Sequence, residues 1–263
     1  MPEKHPFSDL KKRSLLCFCV SVLPCEALES LRRKLPLVVA ALMVASAAEA
    51  GGRGVTLTSL DGTPLTGELY EASSRPAPGV VLIHMLTRNK SDWHGLPDRI
   101  RDAGITALTI DLRGHGASSG SPGDLAAMVQ DVRAAAQWLA TRQNVRPDAI
   151  GVVGASLGAN LALLAAVHLP QVRVIGLLSP SLDYRGLRTD TALVKRLGSR
   201  SIWLAASSED PLALRTLRDI AAESSGPREQ LVSSTAAHGT VLLERDGDVS
   251  RALVDWLRRS LIS

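Results

Sequence analysis

From residue 54 onward short apolar runs alternate with amphipathic stretches, and this alternation limits the possible folds more than any other feature. Residues 55–60 and 64–72 flank Asp61-Gly62, a dipeptide that closes tight hairpins, so they read as an antiparallel pair. Residues 79–84 (GVVLIH) form the short, largely apolar kind of run that suits a parallel strand buried on both faces. Residues 92–103 read as a helix ended by Gly104, and 105–111 as the next strand. Asp124 is placed to cap a helix whose apolar positions 125, 128, 129, 132, 135, 136 and 139 follow three- and four-residue spacing. Strand 149–154 and helix 157–168 come next, then strands 172–179 and 201–207 around a short helical stretch. Helix 211–224, strand 230–235 and helix 249–261 complete the chain. The expectation is an α/β fold: one eight-stranded, mostly parallel sheet, its first strands antiparallel, with helices on both faces. No repeat and no interdomain linker interrupts it, so residues 51–263 read as one domain. In such sheets ligands meet the carboxyl ends of the strands.

Strand 149–154 runs into Gly154-Ala155-Ser156-Leu157-Gly158 and then a helix. A nucleophile on so sharp a strand-to-helix turn needs neighbours without side chains two residues to either side, which accounts for both glycines. Ser156 Oγ then stands clear of the sheet. The Leu157 N–H, at a helix N-terminus, can donate to a developing oxyanion. A serine hydroxyl at neutral pH needs a base, and the base an orienting carboxylate. Strand 201–207 ends in Ser208-Glu209-Asp210-Pro211, which puts Asp210 at a carboxyl edge, with Glu209 and Asp183 as rival acids. Strand 230–235 ends in Ala236-Ala237-His238-Gly239, which makes His238 the base. Among the other histidines, His94 and His168 read as peripheral helix residues. His84 closes its strand and supports the loop that follows.

These residues, with Asp111-Leu112-Arg113-Gly114-His115-Gly116-Ala117-Ser118, resemble the α/β-hydrolase superfamily over residues 54–262, in its cap-less serine esterase or dienelactone-hydrolase-like form. The resemblance implies Ser156 as nucleophile, His238 as general base and then acid, and Asp210 as its partner. It implies a second oxyanion N–H from the loop after His84, by position Leu86, with Met85 second. The turn at 111–118 is structural on the same pattern, with Arg113 and His115 pinning loops. Serine at the elbow separates the chain from dehalogenases and epoxide hydrolases of this fold, which use Asp, and from dienelactone hydrolases, which use Cys. About twenty residues, 180–200, lie between the sixth and seventh expected strands, room for a helix or two but for no lid domain. An open site that prefers small or soluble carboxylic esters follows. Thioesterase, peptidase or acyltransferase chemistry runs on the same three residues, and a non-catalytic binder on this scaffold is a further alternative.

The start of the chain has a different composition. All three cysteines (Cys17, Cys19, Cys25) and both phenylalanines (Phe7, Phe18) precede residue 26. Arg32-Arg33-Lys34, the apolar run 35–48 and Ala48-Glu49-Ala50 are the basic, apolar and small-x-small parts of a secretory signal. Residues 1–50 therefore read as a targeting segment, with export to the periplasm or medium and no lasting membrane insertion. A buried helix and a retained anchor are the alternatives. Thirty-one residues precede Arg32, more than such a signal carries, so a start further along the chain is a second expectation. Seven of the 30 basic and five of the 26 acidic residues lie in 1–50, leaving 23 and 21 in the rest, a net of +2. With no basic run beyond Lys34 and only 3% aromatic residues, nucleic acid is not an expected partner. Without Cys beyond residue 25 and without H-E-x-x-H, neither a metal nor a cofactor is expected.

Overall fold

The computed structural model describes residues 51–262; the targeting reading of 1–50 lies outside the described residues. Ten strands and seven helices follow in chain order: β1 (Arg53–Thr58), β2 (Pro64–Tyr70), β3 (Ala77–Ile83), α1 (Leu96–Asp102), β4 (Thr106–Ile110), α2 (Leu125–Ala140), β5 (Val145–Ala155), α3 (Leu157–Ala166), β6 (Val172–Leu178), β7 (Asp183–Tyr184), β8 (Leu187–Arg188), α4 (Thr191–Lys195), β9 (Ser201–Ser207), α5 (Pro211–Glu223), β10 (Arg228–Ser233), α6 (Val241–Arg245) and α7 (Gly247–Ile262). Eight strands make the main sheet, in the order β1-β2-β4-β3-β5-β6-β9-β10. β2 runs antiparallel to both its neighbours, and the other pairings are parallel.

The burial of each strand follows its place in the sheet. β2, second from the edge, alternates between buried and half-buried residues, while β3 and β4 are buried throughout. Along β3, Val81 and Ile83 enter one core with residues of α2, α3 and α5, while Val80 and Leu82 enter a second core with residues of α1 and α7. Two-residue periodicity thus serves two helix layers, and each fully buried aliphatic side chain contributes on the order of 1.5–3 kcal/mol. Edge strand β10 exposes Arg228, Glu229 and Gln230, polar residues of the kind that discourage further strand pairing.

Two local expectations need correction. The helix expected from residue 92 starts at Leu96. His94 and Gly95 both have positive φ (46° and 73°), which helical residues do not adopt, so His94 stands in a turn, and Pro97 then fits the first helical turn. The stretch expected to be helical between β6 and β9 first makes the small β7–β8 hairpin, and helix follows only at Thr191–Lys195. The hairpin turns on Arg185 and Gly186, both at positive φ (50° and 90°), a two-residue geometry that matches strand twist.

Candidate active site

β5 delivers Ser156 directly into α3. Its backbone takes φ 51° and ψ −118°, a strained conformation for a residue with a side chain. A Cβ built on Gly154 would overlap the Gly158 carbonyl, and one on Gly158 would overlap the Ile83 carbonyl, so the turn closes only with glycine at both places. Ser156 N–H donates to Leu178 O at 2.9 Å, tying the turn to β6. Leu157 opens α3 and is buried. Among the described residues, neither its N–H nor that of half-buried Leu86 takes part in a recorded hydrogen bond.

The structure brings Ser156, His238 and Asp210 together. His238 Nδ1 lies 2.5 Å from Asp210 Oδ2, and His238 Nε2 lies 2.8 Å from Ser156 Oγ. A carboxylate only accepts, so the network assigns the proton to Nδ1 and leaves Nε2 to accept from the serine hydroxyl. Asp210 serves two elements at once: its other oxygen accepts from Ala213 N–H at 3.1 Å and caps α5. The His238 side chain is 52% exposed and that of Asp210 20%, so the imidazole faces solvent while the carboxylate is largely shielded.

The rival acids are engaged elsewhere. Asp183 receives Gly186 N–H at 2.7 Å and Arg188 Nε at 3.0 Å within the hairpin, and these two donors hold its carboxyl below the usual range. The Glu209 carboxylate accepts from its neighbour Ser208 Oγ at 3.5 Å, and the Glu209 N–H donates to Ser207 Oγ at 3.0 Å. The loop carrying His238 is fixed by residues that sequence reasoning did not single out. Gly239 N–H donates to Ser179 Oγ at 2.9 Å, and Thr240 Oγ1 donates to buried Asp92 at 2.6 Å. No pattern marks Ser179 or Asp92 in the sequence, because each works through a partner about 60 or 150 residues away.

A second polar cluster adjoins the site. His84 is fully buried; its Nε2 accepts from Leu112 N–H at 3.0 Å and its Nδ1 donates to Met85 O at 2.6 Å. Burial holds this imidazole down at about 4, so it is neutral, in the one tautomer that satisfies both bonds. Asp111 accepts from Lys90 N–H, Lys90 Nζ, Ala117 N–H and Thr66 Oγ1. Burial pushes its carboxyl up, but these donors outweigh burial and bring it below its ordinary range. Arg113 forks onto Asp131 at 2.6 and 2.9 Å and reaches Asp61 at 2.8 Å. These groups pin the loops after β3 and β4, as expected of the 111–118 turn. Among the described residues, no group of three or more His, Cys, Asp or Glu side chains is placed to hold a metal ion, and no helix is long and apolar enough to cross a membrane.

A mostly parallel sheet with a tight glycine-flanked serine turn between a central strand and a helix is the layout of a hydrolase fold. The chain belongs to the alpha/beta hydrolase family, whose model matches residues 80–261. An uncharacterised protein of Mycobacterium tuberculosis (strain H37Rv) is 27% identical over 234 residues, covering 82% of each chain. A polyketide transferase of Stachybotrys chlorohalonatus is 28% identical over 169 residues, which is 62% of this chain and 56% of that protein. Among solved structures, the Pyrococcus furiosus esterase Pf2001 superposes with a TM-score of 0.65 at 16% identity, covering 80% of this chain and 90% of its own, a likeness of fold.

Proposed function

We propose that the protein is a serine hydrolase that cleaves small or soluble carboxylic esters through an acyl-enzyme. The observation that carries this reading is the continuous hydrogen-bonded chain Ser156–His238–Asp210, with links of 2.8 and 2.5 Å, at a strained turn whose next residue, Leu157, carries an unengaged N–H. Ser156 Oγ attacks the ester carbonyl carbon while His238 Nε2 takes its proton. The carbonyl oxygen becomes an oxyanion on the N–H groups of Leu157 and Leu86, each worth roughly 3 kcal/mol of barrier. The C–O bond to the alcohol breaks as Nε2 returns the proton to the leaving oxygen. Water then repeats the sequence on the acyl-enzyme, and Ser156 is released. Asp210 holds the imidazole in the required tautomer and stabilises its protonated form.

Acyl transfer to an acceptor other than water is the second reading, favoured by the polyketide transferase among the relatives, since the same three residues make the same acyl-enzyme. A fluorophosphonate probe separates either reading from a binding protein: labelling at Ser156 is expected, and an unlabelled, folded protein would overturn both. A panel of p-nitrophenyl esters, thioesters and amides then separates the two. Faster release from esters with water as acceptor supports hydrolysis. Product formation only with an added alcohol or amine supports transfer.

A further inference from the structure

β6 ends at Leu178, and the residue after it stands in a conformation that favours glycine. Ser179 has φ 47°, in the left-handed region where a side chain adds strain. It is also buried, so its hydroxyl needs a partner. Ser179 Oγ accepts from Gly239 N–H at 2.9 Å. Glycine would relieve the backbone at this position, but it could not make that bond.

Two consecutive residues thus hold the two groups that exchange a proton. Leu178 O accepts from the Ser156 N–H at 2.9 Å, and Ser179 Oγ accepts from the N–H of Gly239, the residue next to His238. The Ser179 N–H donates to Ala205 O at 2.8 Å, which fastens the pair to β9, the strand that leads to Asp210. Gly239 is seated closely: a Cβ built on it would overlap Met85 Sδ and touch the Cβ of Ala155, the residue before Ser156. The second tie of the same loop, Thr240 Oγ1 to Asp92 at 2.6 Å, lies one residue farther from His238 and runs to the segment after β3.

We propose that Ser179 is a positioning residue for the base: its hydroxyl, kept at positive φ beside the Leu178 carbonyl, sets the 2.8 Å separation of His238 Nε2 from Ser156 Oγ. This role rests on the serine-hydrolase reading above and adds the residue that registers base against nucleophile. Ser179 acts through Gly239 and takes no part in the bonds made and broken. Losing its hydroxyl leaves Thr240 on Asp92, so the loop stays attached while His238 loses its nearest tie.

Two substitutions move strain and hydroxyl in opposite directions. Ser179→Gly removes the hydroxyl and relieves the backbone. Ser179→Thr keeps the hydroxyl and adds strain, because β-branched residues fit the left-handed region worst. Each is assayed on p-nitrophenyl butyrate and by its rate of fluorophosphonate labelling, with active sites counted by labelling to completion. Where butyrate turns over slowly, the labelling rate alone carries the comparison. Ser179→Gly is expected to lose about tenfold in kcat and in labelling rate, a fraction of an ångström costing less than the roughly hundredfold of a 1 Å misplacement. Its KM and thermal midpoint should stay near those of the parent. Ser179→Thr is expected to melt earlier yet keep most of its kcat per active site. A merely structural serine would leave kcat per active site unmoved in Ser179→Gly, and that result overturns the assignment. So does a Ser179→Thr protein that loses as much kcat as Ser179→Gly. If Ser179→Thr does not fold, Ser179→Ala replaces it, with the strained backbone kept and the hydroxyl gone. A loss in Ser179→Gly that is absent from Ser179→Ala then has the same force. Parent protein that labels at Ser156 and hydrolyses the ester, beside variants unmoved in both rates, would sink the Ser179 role alone. Parent protein that does neither would sink the hydrolase reading, and this role with it.

Discussion

Two clusters of Asp and His side chains stand at the carboxyl ends of neighbouring strands, and they differ in what they leave unused. In the cluster of His84, Asp111, Arg113 and Asp131, every one of these residues is buried and their polar atoms meet protein partners. In the cluster of Ser156, His238 and Asp210, the chain of hydrogen bonds stops at a hydroxyl on a strained turn, and the imidazole it bonds to is half exposed. Charge and histidine at a sheet edge therefore do not make a site. A site needs polar groups that converge and remain available to a ligand. The buried cluster holds loops; the open one leaves a hydroxyl and an imidazole available.

Substitutions separate the two clusters by which property each one moves. Ser156→Ala or His238→Ala is expected to lower kcat on a short ester by about 10⁶-fold without shifting the thermal midpoint. Turnover near the parent level would end the nucleophile or base assignment. Asp210→Asn is expected to cost about 10⁴-fold in kcat through the wrong tautomer. Because Asn caps helices as well as Asp does, α5 should stay folded, so a loss of stability in place of turnover would move the acid role elsewhere. In the buried cluster the effect reverses. Asp131→Ala removes the buried carboxylate from the Arg113 guanidinium, leaving it only the exposed Asp61 as a carboxylate partner, and is expected to cost about 3–5 kcal/mol of stability, read by denaturant unfolding, while the folded fraction labels with a fluorophosphonate at the parent rate. A large change in that rate would place Asp131 in the reacting site.

The smallest expected effect is a pH dependence. His84 titrates at about 4 in the folded protein against 6.5 in the free side chain. The unfolded chain therefore takes up a proton first as pH falls. Stability from neutral His84 is full above pH ~6.5, declines toward pH ~4 and is constant below, a total of about 3 kcal/mol. Unfolding of the parent and of His84→Gln across that window should show this slope in the parent and a flatter one in the variant. Equal slopes would contradict the burial of a neutral imidazole.

Much of the fold was legible because its signals are local. Apolar runs of strand length mark β3, β4, β5, β6 and β9, and Asp124 with its apolar stripe marks α2. Misreadings fell where backbone conformation is set by distant contacts. Residues 92–95 look helical as the start of the 92–103 stretch, but Asp92 is held by Thr240, 148 positions away, and the chain turns at His94–Gly95 instead of winding. The β7–β8 hairpin has no strand-like run, and buried Asn160 bonds to Ser181, just before it, and to Leu187, in β8. The only trace of that contact in the sequence is a single polar residue in an apolar helix, which says that a partner exists but not where.

By itself the sequence determined the alternation of strands and helices, the parallel crossovers that follow from it, and the elbow at Gly154–Gly158, because side-chain periodicity and the steric freedom of glycine act over a few residues. It also limited the acid to Asp183, Glu209 or Asp210 and offered His238 as the base. Only the tertiary structure decided which groups meet. The partners of His238 are 28 and 82 residues away along the chain, and a hydrogen bond near 3 Å tolerates errors of a few tenths of an ångström. The registers of β5 against β6, β6 against β9 and β9 against β10 set those distances, and each register is fixed by two cores at once.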